Sequence, residues 1–190
     1  MKKTLFLLFS FCTAIPVFSQ LDVRYWNPSS YFMEDVAIAD TNTILITGSN
    51  YYATTLNAAQ SWNGLSSGGM FVKAACFPST NFGIAVGNDG YYRINTDCAY
   101  FWGWGSNKFI GTARDLIDVS FIDNHNGMIC GELGYLGRTN NQASSFTSLS
   151  SGTSVWLNGV AMLNDSLAFV CGNSGTLLKM VNDTYFQVRY

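Results

Sequence analysis

Charge is scarce in this sequence. Ten Lys and Arg and twelve Asp and Glu make up 12% of its 190 residues, where about 25% is usual. A nucleic-acid-binding domain needs a basic stripe, and an electrostatic grip on anionic lipid needs a basic cluster. Neither can be assembled from so few cations. Glutamate is nearly absent, with Glu34 and Glu132 alone, and there is one histidine, His125. A Ser-His-Asp or Cys-His relay needs its histidine on a supported site. His125 lies instead in Asp123-Asn124-His125-Asn126-Gly127, a run of turn residues. Long apolar runs are also missing, apart from Leu5 to Ile15, and that stretch is shorter than the ~20 residues a membrane span takes.

That one run reads as a secretory signal. Lys2 and Lys3 precede it, and Val17-Phe18-Ser19 follows it as a small-residue cleavage site before Gln20. Phe11 stands where a lipid-attachment site would carry a small residue before Cys12. The expectation is a chain cut after Ser19 and exported, secreted or periplasmic, with no membrane anchor. The remaining 171 residues make one domain, 20–190. Without Lys2 and Lys3 it carries eight basic and twelve acidic residues, net −4, which again excludes nucleic acid as a partner.

Four cysteines remain in that domain: Cys76, Cys98, Cys130 and Cys171. An even number in an exported chain permits two disulfides in three connectivities. Cys130 and Cys171, however, hold the same place in successive copies of the repeat described below. Equivalent strands of neighbouring units sit beyond the ~7 Å reach of a disulfide, so small buried strand residues are the preferred reading. No spacing among these cysteines suggests a metal site, the Asp123–Gly127 run does not match the Asp-x-Asx-x-Asx-Gly calcium loop, and no cofactor is implied.

What the sequence does have is a repeat. Its clearest copy runs from Asp115 to Phe146, with apolar runs Ile117–Ile122, Met128–Cys130 and Tyr135–Arg138 between turn residues and a fourth opening at Phe146. Gly48, Gly87, Gly131 and Gly172 carry the register, 39, 44 and 41 residues apart. Each follows Val36, Ala75, Val119 or Val160 by twelve residues. Two or three residues later stand Asn50, Gly90, Gly134 and Gly175, types that tolerate the positive φ of a tight turn. Eleven or twelve residues beyond these come Trp62, Trp102, Phe146 and Phe186. A bulky ring at a fixed point of each copy has one economical use, filling the gap between neighbouring units. Four short strands in about forty residues make one blade of a β-propeller. The expectation is an all-β, propeller-like array of four four-stranded blades, about 32–70, 71–114, 115–155 and 156–190. It forms a small closed ring, an open arc completed by another chain, or another all-β solenoid or sandwich. Asp22–Trp26 is expected as a further outer strand.

The segments before the rings share a pattern. Thr55-Leu-Asn57-Ala-Ala59-Gln-Ser61-Trp62 and Thr139-Asn-Asn141-Gln-Ala143-Ser-Ser145-Phe146 match each other, and Asn95-Thr-Asp97-Cys-Ala99-Tyr-Phe101-Trp102 follows more loosely. They resemble the Asp-box, Ser-x-Asp-x-Gly-x-Thr-Trp, of sialidases and related propellers. Asp97 keeps the acid, and Asn57 and Asn141 replace it. Such a side chain bonds the backbone of its own turn, so the box reads as a hairpin cap. The whole unit, "Asp-Val-Ser-Phe-Ile-Asp, then Gly, then Gly-x-x-Gly, then a box ending in an aromatic", resembles the repeat of the photosystem II stability/assembly factor family. The resemblance spans about residues 32–190 and implies a propeller of the BNR/Asp-box group. It implies nothing about photosynthesis here.

Two functions compete. The first is a non-catalytic, exported binding or assembly module for a protein or glycan, because the repeat consists of packing and turn residues and function then lives in loops. The aromatic run Tyr100-Phe101-Trp102-Gly103-Trp104 supplies its candidate contacts, with Tyr100, Trp102 and Trp104 the ones to stack on a sugar or anchor a protein. The second is a degenerate or fragmentary sialidase-like glycosidase. That chemistry needs an arginine cluster and a glutamate. The five arginines after the signal, Arg24, Arg93, Arg114, Arg138 and Arg189, do not recur at one blade position. Glu132 lies in a turn, where it is expected in solvent.

Overall fold

The computed structural model describes residues 32–97, 104–182 and 184–187, with Leu65, Tyr185, Phe186 and Gln187 described by their backbone alone. The signal, the Asp22–Trp26 strand, Cys98, Tyr100 and Trp102 lie outside the described residues. Among the described residues sixteen strands form four sheets, each a run of four sequence-consecutive antiparallel strands. Blade 1 holds β1 (Met33–Ile38), β2 (Ile44–Gly48), β3 (Tyr51–Thr55) and β4 (Asn63–Ser66). Blade 2 holds β5 (Val72–Ser79), β6 (Phe82–Gly87), β7 (Tyr91–Asn95) and β8 (Lys108–Phe109). Blade 3 holds β9 (Leu116–Phe121), β10 (Gly127–Gly131), β11 (Leu136–Thr139) and β12 (Thr147–Leu149). Blade 4 holds β13 (Leu157–Asn164), β14 (Leu167–Gly172), β15 (Thr176–Val181) and β16 (Thr184–Gln187).

The register glycines each end a second strand, and the reason is shared. A Cβ at Gly48, Gly87, Gly131 or Gly172 would land on the carbonyl oxygen of Phe32, Phe71, Asp115 or Trp156, the residue just before the first strand of the same blade. The next residue closes a clasp there: Ser49, Asn88, Glu132 and Asn173 donate their backbone N–H to those same four carbonyls at 2.8–3.1 Å. In blades 2 and 3 a side chain completes it, Asn88 Oδ1 accepting from Phe71 N at 2.7 Å and Glu132 Oε2 from Asp115 N at 3.1 Å. Beyond the clasp the chain reverses through left-handed residues, as at Leu133-Gly134 (φ 51° and 70°).

The box segments are locked turns. Asn57 Oδ1 accepts from Thr55 Oγ1 and Ser61 N, both at 2.9 Å, and Asn57 Nδ2 donates to Ser61 Oγ at 2.9 Å. Asn141 repeats the set with Thr139 and Ser145 at 2.8–3.1 Å. Asp97 donates its own N–H to Asn95 Oδ1 at 2.8 Å.

Three apolar clusters hold the blades in sequence order. One joins blades 1 and 2 around Leu45, Tyr52, Met70 and Val72. The next joins blades 2 and 3 around Phe82, Ile84, Leu116 and Ile129. The last joins blades 3 and 4 around Met128, Leu136, Leu157 and Met180. Among the described residues no cluster joins blade 4 to blade 1. Rings cross the first two junctions: Tyr52 meets Trp104 at 5.9 Å, Phe82 meets Phe121 at 5.5 Å, and Phe146 stands edge-on to Tyr92 at 5.3 Å. Phe146 therefore does bridge two blades. Trp62, at the corresponding place in blade 1, is half-buried.

Carboxylates pin two of the junctions. Asp35 Oδ2 accepts from Ala75 N of the next blade at 2.9 Å. Asp118 accepts from its own blade's Val119 N and the next blade's Val160 N, both at 2.8 Å. The corresponding residues in blades 2 and 4 are Ala74 and Gly159. Burial raises the Asp118 carboxyl above its ordinary value and the nearby Asp35 charge adds to that, against the two N–H groups. A carboxyl raised by folding contributes stability below its unfolded value, near pH 3.8, and loses it as pH rises. Asp118→Ala strips the shared acceptor from two backbone donors, a loss of about 2 kcal/mol. Urea unfolding of both proteins is expected to show a deficit that is larger at pH 4.5 than at pH 7.

Candidate binding site on the blade turns

The linkers between blades and the turns after the register glycines crowd one end of the blades. There Arg114, in the β8–β9 linker, lines two adjoining clefts. One, of about 260 Å³, lies between blades 2 and 3 and is lined by Ile110, Gly111, Thr112, Tyr135, Phe146 and Ser148 beside Arg114. The other, about 420 Å³ and shallower, runs along Leu133, Gly134 and Leu149–Ser154. Arg114 spends one of its five N–H donors on the Leu133 carbonyl, at 3.4 Å. Below it the Tyr135 phenol is pushed up to about 12, chiefly by burial and then by Tyr92, with Arg114 opposing. Tyr135 is thus a neutral phenol throughout the physiological range. Phe146 gives the same cleft an aromatic wall.

An ion and hydrogen-bond chain frames this end. Lys73 Nζ sits 3.5 Å from Asp115 Oδ2, and Asp115 Oδ1 accepts from Asp89 N at 3.0 Å. Glu132, expected in solvent, is half-buried and occupied by the Asp115 N–H. Its carboxylate is a structural clasp, because the turn after Gly131 folds back onto the strand entry.

A third cleft, about 390 Å³, opens at the opposite end between blades 3 and 4 and includes Asn126, Arg138, Asn140 and Asp165. Arg138 reaches across the junction to the Asp165 carbonyl at 2.7 Å and its carboxylate at 3.8 Å. His125 is exposed in the adjoining β9–β10 turn, its backbone N–H held by Asp123 Oδ1 at 2.7 Å. Among the described residues no group of three His, Cys, Asp or Glu is placed to hold a metal ion.

The other sequence candidates fall as follows. Trp104 is half-buried, its ring tilted against Tyr52 of blade 1 and, at 6.0 Å, against Phe77 of its own blade, so packing takes up both of those contacts. Cys76, Cys130 and Cys171 are free thiols. Cys130 is buried as expected for a strand filler, but Cys171 is exposed, which corrects that expectation. Its face of blade 4 has no described blade upon it. Sequence reasoning missed Arg114 as a site residue and the bridging role of Asp35 and Asp118, whose places hold Ala74 and Gly159 in the other two copies.

No known family model matches the chain, and no curated protein matches it in sequence. Solved structures do match. "YCF48 bound to D1 peptide" is 14% identical with a TM-score of 0.55, covering 87% of this chain and 70% of that one. YCF48 from Cyanidioschyzon merolae is 16% identical, TM-score 0.66, over 82% of this chain and 53% of that one. The chain shares the β-propeller fold. An ancestral GH74 enzyme is also similar, at 12% identity and a TM-score of 0.65, over 82% of this chain and 25% of that one. The chain thus spans about half of the C. merolae YCF48 chain and a quarter of the GH74 chain. Propellers that bind a peptide and propellers that are enzymes both lie within this likeness, and at these identities only the fold carries over.

Proposed function

We propose that this is a non-catalytic, exported propeller-type module that binds an extended protein segment across the turns of blades 2 to 4. The observation that carries the reading is the pair of clefts meeting at Arg114. They offer a guanidinium for a carboxylate, a phenol and a phenyl wall for an apolar side chain, and the hydroxyl-rich Ser150–Ser154 edge for main-chain hydrogen bonds. The YCF48 structure with a D1 peptide shows that a protein of this fold takes a peptide ligand.

The test is fluorescence anisotropy with labelled unstructured peptides ending in a free carboxylate, each beside its amidated twin. Free-carboxylate peptides are expected to bind more tightly than their twins, and Arg114→Ala to weaken them roughly tenfold, about 1.4 kcal/mol. Binding by neither form, or equal binding by the variant, overturns the assignment. The glycosidase reading draws support from the resemblance of the box segments to the Asp-box and from the GH74 likeness. Turnover of sialosides or other glycosides by the purified chain, lost in Glu132→Gln, would establish it instead.

A further inference from the structure

Among the described residues the two end blades each leave one face uncovered, and the two faces are the halves of one junction. Within the chain, every blade offers a forward face to the next blade and a rear face to the one before. On the forward face Leu45, Ile84 and Met128 hold one position in blades 1, 2 and 3, and all are 0% exposed. Blade 4 has Phe169 there, 40% exposed. Thr47, Val86 and Cys130 hold the neighbouring position and are equally buried, whereas its blade 4 counterpart is the exposed Cys171. The rear face shows the same break at the other end. Val119 and Val160 are buried against the preceding blade, but Val36 in blade 1 is 59% exposed. Ile38, counterpart of the packed Phe121, is 63% exposed.

Charge matches across the two bare faces as well. Arg138 of blade 3 reaches Asp165 in the first turn of blade 4. By strand register Lys179 takes the place of Arg138 in blade 4, and Asp40 sits in the first turn of blade 1. The carboxylate pattern fits too. The junction of blades 2 and 3 has Ala74 where the others have Asp35 or Asp118, and closes without a carboxylate at that place. Gly159 would leave a junction from blade 4 to blade 1 without one there too.

We propose that blade 4 of one copy docks on blade 1 of a second copy, so that two chains close head to tail into a ring of eight blades. A heterologous contact of this kind either closes or runs on as a filament, and eight blades lie within the ~4–8 that propellers use.

Light scattering on the purified chain is expected to give twice its own mass. Val36→Asp and Phe169→Asp are each expected to give the single-chain mass, with circular dichroism unchanged because both positions are exposed in the single chain. Direction is read by oxidation. Cys130 Sγ donates to the Leu157 carbonyl across the junction of blades 3 and 4, and Cys171 and Met33 occupy the corresponding places. Met33→Cys is therefore expected to cross-link into covalent dimers, and Cys171→Ser in the same chain to abolish them. A wild-type chain of single mass, a dimer surviving either aspartate, or cross-links surviving Cys171→Ser overturns the proposal.

Discussion

Phe82→Ala is expected to lower the free energy of unfolding by about 3–5 kcal/mol. Phe82 lies in β6, is fully buried, and meets Phe121 of the next blade at 5.5 Å. It belongs to the cluster that joins blades 2 and 3. That junction has Ala74 at the place where its two neighbours have Asp35 and Asp118, and the apolar cluster around Phe82 fills its centre. Removing the ring opens a cavity between two sheets whose strands are fixed by their own hydrogen bonds, and neither sheet can collapse to refill it. Folded domains are stable by only about 5–15 kcal/mol, so this loss is a large share of the whole. Urea unfolding followed by tryptophan fluorescence measures it. Phe109, more than half exposed at the rim in β8, is the comparison: Phe109→Ala is expected to cost less than 1 kcal/mol. Equal costs for the two substitutions would mean that the cluster does not bind the blades together.

Gly131→Ala is expected to cost about 3 kcal/mol, and the cause is space rather than backbone strain. At φ −174° Gly131 is extended, a conformation open to any residue. The added methyl has nowhere to go because the Asp115 carbonyl oxygen fills its place. Moving that carbonyl breaks the bond from Glu132 N and the reciprocal one from Asp115 N to Glu132 Oε2. It also disturbs Asp115 where it meets Lys73 and Asp89 of blade 2. Gly152 gives the contrast. It has open space around its Cβ position but a φ of +71°, so Gly152→Ala meets only the left-handed penalty of about 1–2 kcal/mol. Thermal unfolding that ranked Gly152→Ala as the more damaging of the two would refute the clasp.

The repeat was legible because turns and close approaches impose residue types at fixed spacing. Gly48, Gly87, Gly131 and Gly172 all face one carbonyl each, so all had to be glycine and the period stood out. Asn57 and Asn141 were legible as caps for the same reason, since each closes a turn within seven residues, Thr55–Ser61 and Thr139–Ser145. The long-range partners were silent. Asp35 and Asp118 bond residues about forty positions away, and the intervening copy carries Ala74, so the sequence offers no rhythm to read. Glu132 looked like a solvated turn residue because the strand entry that it clasps is seventeen residues upstream. Cys171 looked buried by analogy with Cys130, although burial there depends on whether another sheet covers the strand, which no local pattern encodes. The candidate site was the least legible part. Arg114 sits in a linker between blades, away from the recurring positions, and its clefts arise only where that linker, the turn after Gly131 and the β12–β13 linker are brought side by side.

Because each cluster binds a blade only to its immediate neighbour in the chain, the first pair does not wait for the last. Leu45, Tyr52 and Met70 can pack on Val72 and Ala85 while blade 4 has yet to leave the ribosome. Assembly can then proceed like a hand of cards being spread, one sheet laid on the previous one, with the risk of misjoining concentrated at whichever card is momentarily outermost.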